Sequence, residues 1–406
     1  MARSYLGYNP IYTFRGVYSG FNPQVLMLIN GVPITSYTGD RNLSWGGMPV
    51  QAISRIEVVR GPGSAVYGAD VFAGVINIIT KTKDEINGTE VGGRVGSFDT
   101  YDGWALHGAE WAGFDVAAMV EYHNTAGQKS ILDADAQTGF DRLFGTHASL
   151  APGPVNLSRD NMDARLDLSR GHWRFRGGLQ HRDNYGSGAG VIQTLDPVTM
   201  IGNDRWNADL TYQNADFAEN WEMMAQLSYL DGDQHNTGAF PPGARLPIGA
   251  NGLIDFANPV QYVTFANGFR GVPENWERHA RTNLAAVYRG FSAHTLRLGA
   301  GFNYDSIYKV REQKNFGLDP VTGTPIPLLP GTPLVDVSNT PLVYLPTKDR
   351  TDAFFLIQDE WAFARDRQLT AGMRYDRYSD FGETVNPRAA LVWETRYDLT
   401  TKLMYG

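Results

Sequence analysis

Residues 53–81 read ISRIEVVRGPGSAVYGADVFAGVINIITK, and this stretch decides the fold of the region around it. It contains four glycines and two β-branched apolar runs, at residues 56–59 and 74–80. A tight turn is expected at residues 61–63 (GPG), because proline fixes φ and glycine tolerates positive φ. Residues 64–68 (SAVYG) are typical of one helical turn with a serine cap and a glycine stop. The stretch therefore predicts strand, turn, helical turn and strand.

This run resembles the signature of the plug domain of TonB-dependent outer-membrane receptors, IEVxRGPxSxxYGxxAxxGVINIxTK. Upstream, FRG at 14–16 and VLMLINGVP at 25–33 resemble the family's RG…VLVLIDGVP segment, with Asn30 where the family usually has Asp. The resemblance implies a small α+β plug that fills the lumen of a transmembrane β-barrel. The signature positions that it carries over to this chain are Glu57, Arg60, Gly61, Pro62, Tyr67 and Gly68.

A polar, glycine-rich loop is expected at residues 35–49, TSYTGDRNLSWGGMP, between a plug strand expected at 25–29 and the next strand, which is expected from residue 53. The resemblance implies that this loop lies at the plug apex, faces the outside and contacts the ligand. Aromatic rings there would stack on a ligand, and an arginine fork would bind anionic oxygens. A solvated loop without ligand contact is the alternative that composition leaves open. The candidate ligand contacts are Tyr37, Arg41, Asn42 and Trp45.

Glu57 and Arg60 place two charges on a plug strand that a barrel would enclose. Charges withdrawn from water need partners. The resemblance implies that these charges pair with the barrel wall, where Gln358-Asp359-Glu360 resembles the segment that supplies a carboxylate, that of Glu360. Two interpretations stay open: a lock released on energy coupling, or a static salt-bridge network.

From residue 89 onward the sequence alternates apolar and polar residues with period two, which predicts antiparallel strands. Clear examples are residues 114–123, 206–213 and 369–376. Aromatic residues end many of the apolar faces, as expected at the two interfaces of a bilayer. No run approaches the about 18 apolar residues of a membrane helix. The fold class predicted is therefore mainly β, a transmembrane antiparallel barrel with a plug in its lumen.

Short and long connections alternate along this region, and such asymmetry indicates an outer-membrane barrel with its short turns in the periplasm. About thirteen strands are expected here, whereas plugged transporters have about 22. The expected short connections are 111–114, 171–172, 216–220, 289–292, 364–367 and 396–398, and the expected long ones are 125–161, 183–203, 232–278 and 306–350.

Residues 1–86 are expected to form the plug domain and residues 87–406 the barrel. The chain shows neither a secretory signal nor the energy-coupling segment, called the TonB box, that the family carries ahead of the plug core. It also stops within an alternating strand. The sequence is therefore expected to be truncated at both ends, and a longer gene could also carry a signalling domain.

Composition excludes several classes of function. The net charge of −8 disfavours nucleic acid as a partner, and the absence of cysteine excludes disulfides and thiolate chemistry. No nucleophile elbow, phosphate loop or zinc-protease motif is present, and the eight histidines do not fall at metal-ligand spacing. Neither enzyme activity, a metal site nor a cofactor is expected, although a barrel hydrolase with a lumenal Ser-His pair is a rival.

The resemblance implies active uptake of a scarce ligand at the bacterial outer membrane, driven by the proton-motive force. A ferric siderophore, an iron chelate, is the first candidate, and cobalamin, haem or an oligosaccharide are alternatives. A passive pore is a further rival, which a folded plug argues against. The expected partners are outer-membrane lipid and the inner-membrane TonB complex, and the receptor is expected to be a monomer.

Overall fold

The structure is a computed structural model that describes residues 3–4, 10–11, 13, 16, 24–34, 36, 48–60, 71, 73–190, 192–196 and 199–405. Strands are numbered in chain order. The first six described strands are β1 (Arg3–Ser4), β2 (Pro10–Ile11), β3 (Val25–Ile29), β4 (Val32–Pro33), β5 (Ile53–Arg60) and β6 (Gly74–Thr80).

Four of these strands form the plug sheet, in the order β4-β3-β6-β5. β3 runs parallel to β6, and β5 runs antiparallel to it. All five residues of β3 are buried, because one face packs on Val71 and Val75 and the other on Ile34 and Ile78. The strands predicted at 25–29 and 74–80 are confirmed. The strand predicted at 56–59 is longer, and the helical turn predicted at 64–68 lies outside the described residues.

A 3-10 turn at Val50–Ala52 precedes β5. A single helical turn, α1 (Lys83–Ile86), follows the last strand of the plug sheet. Thr82 and Glu85 form a capping box, and Asn87 ends the turn in the left-handed region with φ of 44°. The large sheet then begins at residue 88. The division predicted between residues 86 and 87 lies inside this connection and stays a prediction.

The large sheet is the barrel wall, a path of thirteen described strands in which each strand pairs antiparallel with the next strand of the path. This confirms the predicted fold class and strand number. The wall strands are β7 (Gly88–Gly96), β8 (Thr100–Trp111), β9 (Phe114–Thr125), β12 (Arg159–Arg170), β13 (Trp173–Gly186), β14 (Met200–Ala218), β15 (Trp221–His235), β19 (Phe269–Tyr288), β20 (His294–Lys314), β22 (Lys348–Ala364), β23 (Arg367–Tyr378), β24 (Gly382–Arg396) and β25 (Leu399–Tyr405).

Burial follows the predicted alternation along the wall. In β14, Trp206 and Leu210 are 44% and 39% exposed, whereas Arg205 and Asp209 are 5% and 4% exposed. The exposed face is apolar and the enclosed face is charged, the reverse of a soluble sandwich. Rings pair on the outer face, with Trp206 5.0 Å from Tyr229 between centroids. The wall therefore turns its apolar side to lipid.

The predicted short connections are confirmed on one rim, where two residues join several pairs of strands, as at 112–113 and 365–366. The opposite rim differs from the prediction in two respects. Its connections at 97–99 and 379–381 are also short. The long connections are shorter than expected, because strands such as β15 and β19 continue past the apolar belt.

The four long connections lie on that opposite rim, and their described residues pack into one layer, here called the cap (residues 126–158, 187–190, 192–196, 199, 236–268 and 315–347). It contains α2 (Ala136–Phe144), β10 (Ile131–Leu132), β11 (Gly153–Pro154), β16 (Gly238–Phe240), β17 (Ala244–Ile248), β18 (Gln261–Phe265), β21 (Val335–Asp336) and a 3-10 turn at Ile326–Leu328. Its buried core is formed by Ala148, Phe240, Ala244, Leu246, Ile248, Val263 and Phe265.

No helix in the described part of the chain combines the length and the apolar character needed to cross a membrane.

Candidate ligand-uptake site between plug and barrel wall

An apolar contact joins the plug to the wall. Leu230 of β15 is 5% exposed and packs into the plug core with Met27, Ile29, Ile34 and Ile78. Successive side chains of β15 point alternately to the two faces of the wall. Leu230 occupies an inward position, where the strand carries a leucine in place of a polar residue. Burying a leucine side chain contributes about 2 kcal/mol. The plug is therefore held partly by the hydrophobic effect.

A second apolar contact lies near the short-turn rim. Ala52 of the plug is 4% exposed and packs on Leu106 of β8 and Met119 of β9. Next to it, Lys83 of α1 forms an ion pair with Asp115 at 2.8 Å. Since this group is exposed, the pair contributes little beyond orientation. Two separate sides of the plug thus touch the wall.

A polar contact stands beside Leu230. The Ser36 hydroxyl donates to Glu277 of β19, with Oγ 2.8 Å from Oε1 and 3.0 Å from Oε2. Glu277 is 7% exposed and also accepts from Asn275 at 3.1 Å. A buried carboxylate needs donors, and the plug supplies one of them. The contact ties the plug to the wall by a charge-assisted hydrogen bond.

Ion pairs cover the lumenal side of the wall. Arg182 and Asp163 lie 2.7 Å apart with both side chains 3% exposed, and Arg374 and Asp376 lie 2.7 Å apart with 4% and 0% exposed. Breaking one partner of such a buried pair costs about 3–5 kcal/mol. The wall therefore presents a rigid, charged surface to the plug and to anything that passes it.

A cavity of about 540 Å³ separates β3 and β4 of the plug from the wall between β13 and β23. Its lining includes His172, in the connection at 171–172 on the short-turn rim, and Phe381, in the connection at 379–381 on the cap side. The cavity therefore extends from one rim to the other. Its volume falls in the range of small-molecule sites.

Among the described residues, six arginines line this cavity. Five form ion pairs with aspartates, and Arg297 of β20 has no ion pair among the described residues. At the cap end the Arg350 guanidinium, 2.7 Å from Asp380, holds the pKa of that carboxyl below its usual range. The paired arginines are Arg174 (with Asp167), Arg176 (with Asp209), Arg281 (with Asp305), Arg350 (with Asp380) and Arg374 (with Asp376).

Most of the predicted site residues lie outside the described residues. These are the apex contacts Tyr37, Arg41, Asn42 and Trp45 and the signature residues Gly61, Pro62, Tyr67 and Gly68. Nothing tests their roles, which stay predictions.

Three residues of the expected charge pairing are described, and two of them, Glu57 and Glu360, have local partners. Glu57 accepts from Arg55 at 2.9 Å and from Asn77 at 3.0 Å, both within the plug sheet. Glu360 accepts from Gln358 and Gln368 of the wall, each at 3.3 Å. Arg60 ends β5, whose last six residues are exposed. The structure does not bring these three residues together, so pairing between plug and wall at these positions stays a prediction.

Sequence reasoning missed Ser36, Leu230 and Glu277. Glu277 fell inside the long connection expected at 232–278, although period two continues there: Glu277, His279 and Arg281 face inward, and the residues between them face outward. That alternation is the sequence signal that β19 continues into the connection expected at 232–278, toward the cap. Leu230 carried no signal, because an inward leucine is a local exception to the pattern.

No group of three or more His, Asp or Glu side chains suited to a metal ion occurs in the part of the chain that the structure describes.

Comparison with known families agrees with this architecture. Residues 2–75 match the TonB-dependent receptor plug domain, and residues 142–405 match the TonB-dependent receptor-like β-barrel. The second match alone covers more than half of the chain. The protein therefore belongs to the TonB-dependent receptor family, whose members are receptors and transporters in the outer membrane of Gram-negative bacteria. The expected family, fold class and location are confirmed.

Among curated relatives, the vitamin B12 transporter BtuB of Vibrio vulnificus is 35% identical over 147 residues, which are 32% of this chain and 24% of that protein. Among solved structures, the siderophore receptor PirA from Acinetobacter baumannii has a TM-score of 0.59 at 16% identity, covering 99% of this chain and 55% of its own. The copper transporter OprC has a TM-score of 0.61 at 12% identity, with 96% and 55% covered.

The ferric enterobactin receptor PfeA of Pseudomonas aeruginosa has a TM-score of 0.56 at 16% identity, covering 94% of this chain and 54% of its own. At these identities the likeness shows the fold alone. The chain spans about half the length of the solved structures that it matches and a smaller share of the curated relative.

Proposed function

We propose that the protein takes part in active uptake of a small, scarce ligand across the outer membrane, a ferric siderophore being the first candidate. The observation that carries the proposal is the plug itself, which is bonded to the wall and leaves a cavity of about 540 Å³ between the two rims. A ligand bound on the cap side would enter this space when the plug moves. Movement would be driven by the inner-membrane TonB complex, and lipid and this complex would be the partners of a monomeric receptor.

The passive pore and the barrel hydrolase have less support. A pore for diffusion has no use for a domain with its own core, and Leu230 and Ser36–Glu277 hold that domain in the lumen. For a hydrolase, no described serine lies against a histidine and a carboxylate as a nucleophile would. The wall histidines hydrogen-bond mostly to aspartates, as His294 does to Asp359 at 2.7 Å.

The class of ligand is supported by chemistry at the cavity. Arg297 offers a guanidinium that has no ion pair among the described residues, and such a group suits carboxylate or catecholate oxygens. The names of similar proteins include siderophore, enterobactin, vitamin B12 and copper as ligands. Cobalamin, which one of these names carries, is an alternative to an anionic iron chelate, and haem and an oligosaccharide stay open from the sequence.

Tryptophan quenching tests the ligand. The receptor in detergent would be titrated with ferric siderophores, haem, cobalamin, a copper(II) salt and an oligosaccharide. Saturable quenching by one ferric chelate, weakened at least tenfold by Arg41→Ala or Trp45→Ala, supports iron uptake through the plug apex. Arg289→Ala, on the short-turn rim beside Glu222, is the matched control. Quenching by another member of the panel alone, or by none, rejects the siderophore.

A further inference from the structure

His279 stands directly behind the bond between plug and wall. It is the next inward residue of β19 after Glu277, it is 2% exposed, and it pairs in register with Leu230 of β15 and Asp305 of β20. His279 therefore adjoins the two wall residues that hold the plug on this side: Glu277, which accepts from the plug hydroxyl, and Leu230, which enters the plug core. The proposed function assigns no role to His279.

One ring nitrogen of His279 has a fixed partner. Nδ1 lies 2.6 Å from Asp305 Oδ1, which also accepts from Arg281 at 2.9 Å. Because a carboxylate held by a guanidinium is an acceptor only, Nδ1 carries the proton and donates it to Asp305. The neutral ring is therefore the Nδ1–H tautomer, and its lone pair is on Nε2.

The other ring nitrogen faces Glu277. Nε2 lies 3.4 Å from Oε2 and makes no hydrogen bond to any described residue, although it is buried. When the ring is neutral, Nε2 and Oε2 are both acceptors, so they cannot hydrogen-bond to each other across this distance. In the charged ring Nε2 becomes a donor and can bond to the carboxylate. The state of the ring thus decides whether Glu277 receives a donor from His279 in addition to the wall donor Asn275.

We propose that His279 is a positioning residue that sets how firmly Glu277 holds the plug through Ser36, and that the hold loosens as the ring becomes charged. With the neutral ring, the plug hydroxyl compensates a larger part of the charge on the buried carboxylate. With the charged ring, an imidazolium compensates it as well, so withdrawal of Ser36 costs less. Acidification therefore favours release of the plug.

Other charged groups surround the ring. Glu277, Arg205 and Asp233 line the cavity of about 20 Å³ beside it. Arg281 Nη2 lies 3.4 Å from the ring nitrogen Nδ1, and Arg281 and Arg350 also act on Asp305. Arginine stays charged at every relevant pH, whereas histidine is the side chain whose charge ordinarily changes between about pH 5 and 8.

Release can be measured by cysteine labelling, because the chain has no cysteine of its own. Ala52→Cys places a thiol in the second contact between plug and wall, where the side chain is 4% exposed. Its labelling rate in the purified receptor would be divided at each pH by that of Val321→Cys, a position 91% exposed, to remove the pH dependence of the thiol itself. No transported ligand is needed, so the outcome is independent of the uptake proposal.

The normalised rate is expected to rise about three- to tenfold between pH 7.5 and 5.5. His279→Gln should abolish this rise, and His294→Gln should keep it, because His294 pairs with Asp359 away from the plug. Ser36→Ala should raise the rate at pH 7.5 and flatten the profile. A rise that survives His279→Gln overturns the proposal, as does a flat profile in the parent. If His279→Gln does not fold, an unchanged rise in Ser36→Ala overturns it.

Discussion

Ser36 and Glu277 are 241 residues apart in the chain, yet the Ser36 hydroxyl lies 2.8 Å and 3.0 Å from the two carboxylate oxygens of Glu277. The serine belongs to the plug and the glutamate to the barrel wall. Beside them Leu230 enters the plug core, so one polar and one apolar contact act on the same side of the plug. Separation of the plug from this side of the wall requires both contacts to break.

Truncation of Leu230 should weaken plug retention. Leu230→Ala removes the buried side chain and leaves a cavity, at a cost of about 2–4 kcal/mol. The receptor should then conduct small ions through planar bilayers more often than the parent. Leu227→Ala is the matched control, since Leu227 lies on the same strand and is 56% exposed toward lipid. Equal conductance in the two variants would contradict the role given to Leu230.

Neutralisation of Arg297 should slow uptake without changing capture of the ligand outside. Arg297 lines the cavity rather than the cap and has no ion pair among the described residues. For an anionic ligand, Arg297→Gln should lower the uptake rate in cells about two- to tenfold, with surface affinity unchanged. Arg289→Gln serves as control. An unchanged rate would argue that the transported ligand is neutral or does not pass Arg297.

Asp141 should hold the first segment of the cap together. Its carboxylate accepts from Ser149 at 2.7 Å, from Gln137 at 2.9 Å and from Thr146 and Ala148. Asp141→Ala leaves these donors unpaired and should destabilise residues 136–149 locally by about 1–3 kcal/mol. Hydrogen exchange would report the change. Asp133→Ala, an exposed carboxylate in the same segment, should have no effect.

The same carboxylate makes the stability of this segment depend on pH in the acid range. Burial raises the pKa of Asp141, but hydrogen bonds from Thr146, Ser149, Gln137 and Ala148 outweigh it and lower the pKa from 3.8 to about 2. A carboxyl whose pKa is lower in the folded than in the unfolded state stabilises the folded segment at pH values above its unfolded pKa. This stabilisation is lost as the pH falls through the folded pKa. Exchange protection of residues 136–149, corrected for intrinsic rates, should be constant above about pH 5 and fall between about pH 4 and 2. In Asp141→Ala this fall should be absent.

Gly252 should be essential for packing within the cap. It has φ of +74°, and a Cβ there would lie 2.0 Å from the Gly317 carbonyl oxygen. Gly252→Ala must therefore separate two cap connections that are joined by the bond from the Gly317 amide to Gly252. Gly323→Ala has the same backbone strain, with φ of +68°, but open space around it. Limited proteolysis of the cap should be faster in the first variant than in the second, and equal rates would contradict the steric argument.

Much of the fold could be predicted from local pattern. The β-branched run at 74–80 and the apolar run at 25–29 are strands with the predicted bounds, since their neighbours include glycine and proline breakers. The wall strands followed from period two, which holds wherever one face meets lipid and the other meets the lumen. The cap was not predictable in this way, because its core joins four connections that are distant in the sequence.

The candidate site was much less accessible to sequence reasoning. Pattern identified the plug signature and the apex loop at 35–49, whose roles stay predictions. It gave no reason to choose Ser36 over other loop serines or Leu230 over other leucines. Each acquires its role only from what lies across the interface.

The sequence by itself determined a plug followed by an array of amphipathic strands, because strand alternation and glycine-proline turns are local properties of the backbone and side chains. Only the tertiary structure decided where the plug meets the wall, which arginine in the cavity has no ion pair within the described part of the chain, and that His279 lies behind the Ser36–Glu277 bond. These are relations between residues far apart in the chain, and strand tilt, register and packing across the lumen set them. No local pattern encodes such distances.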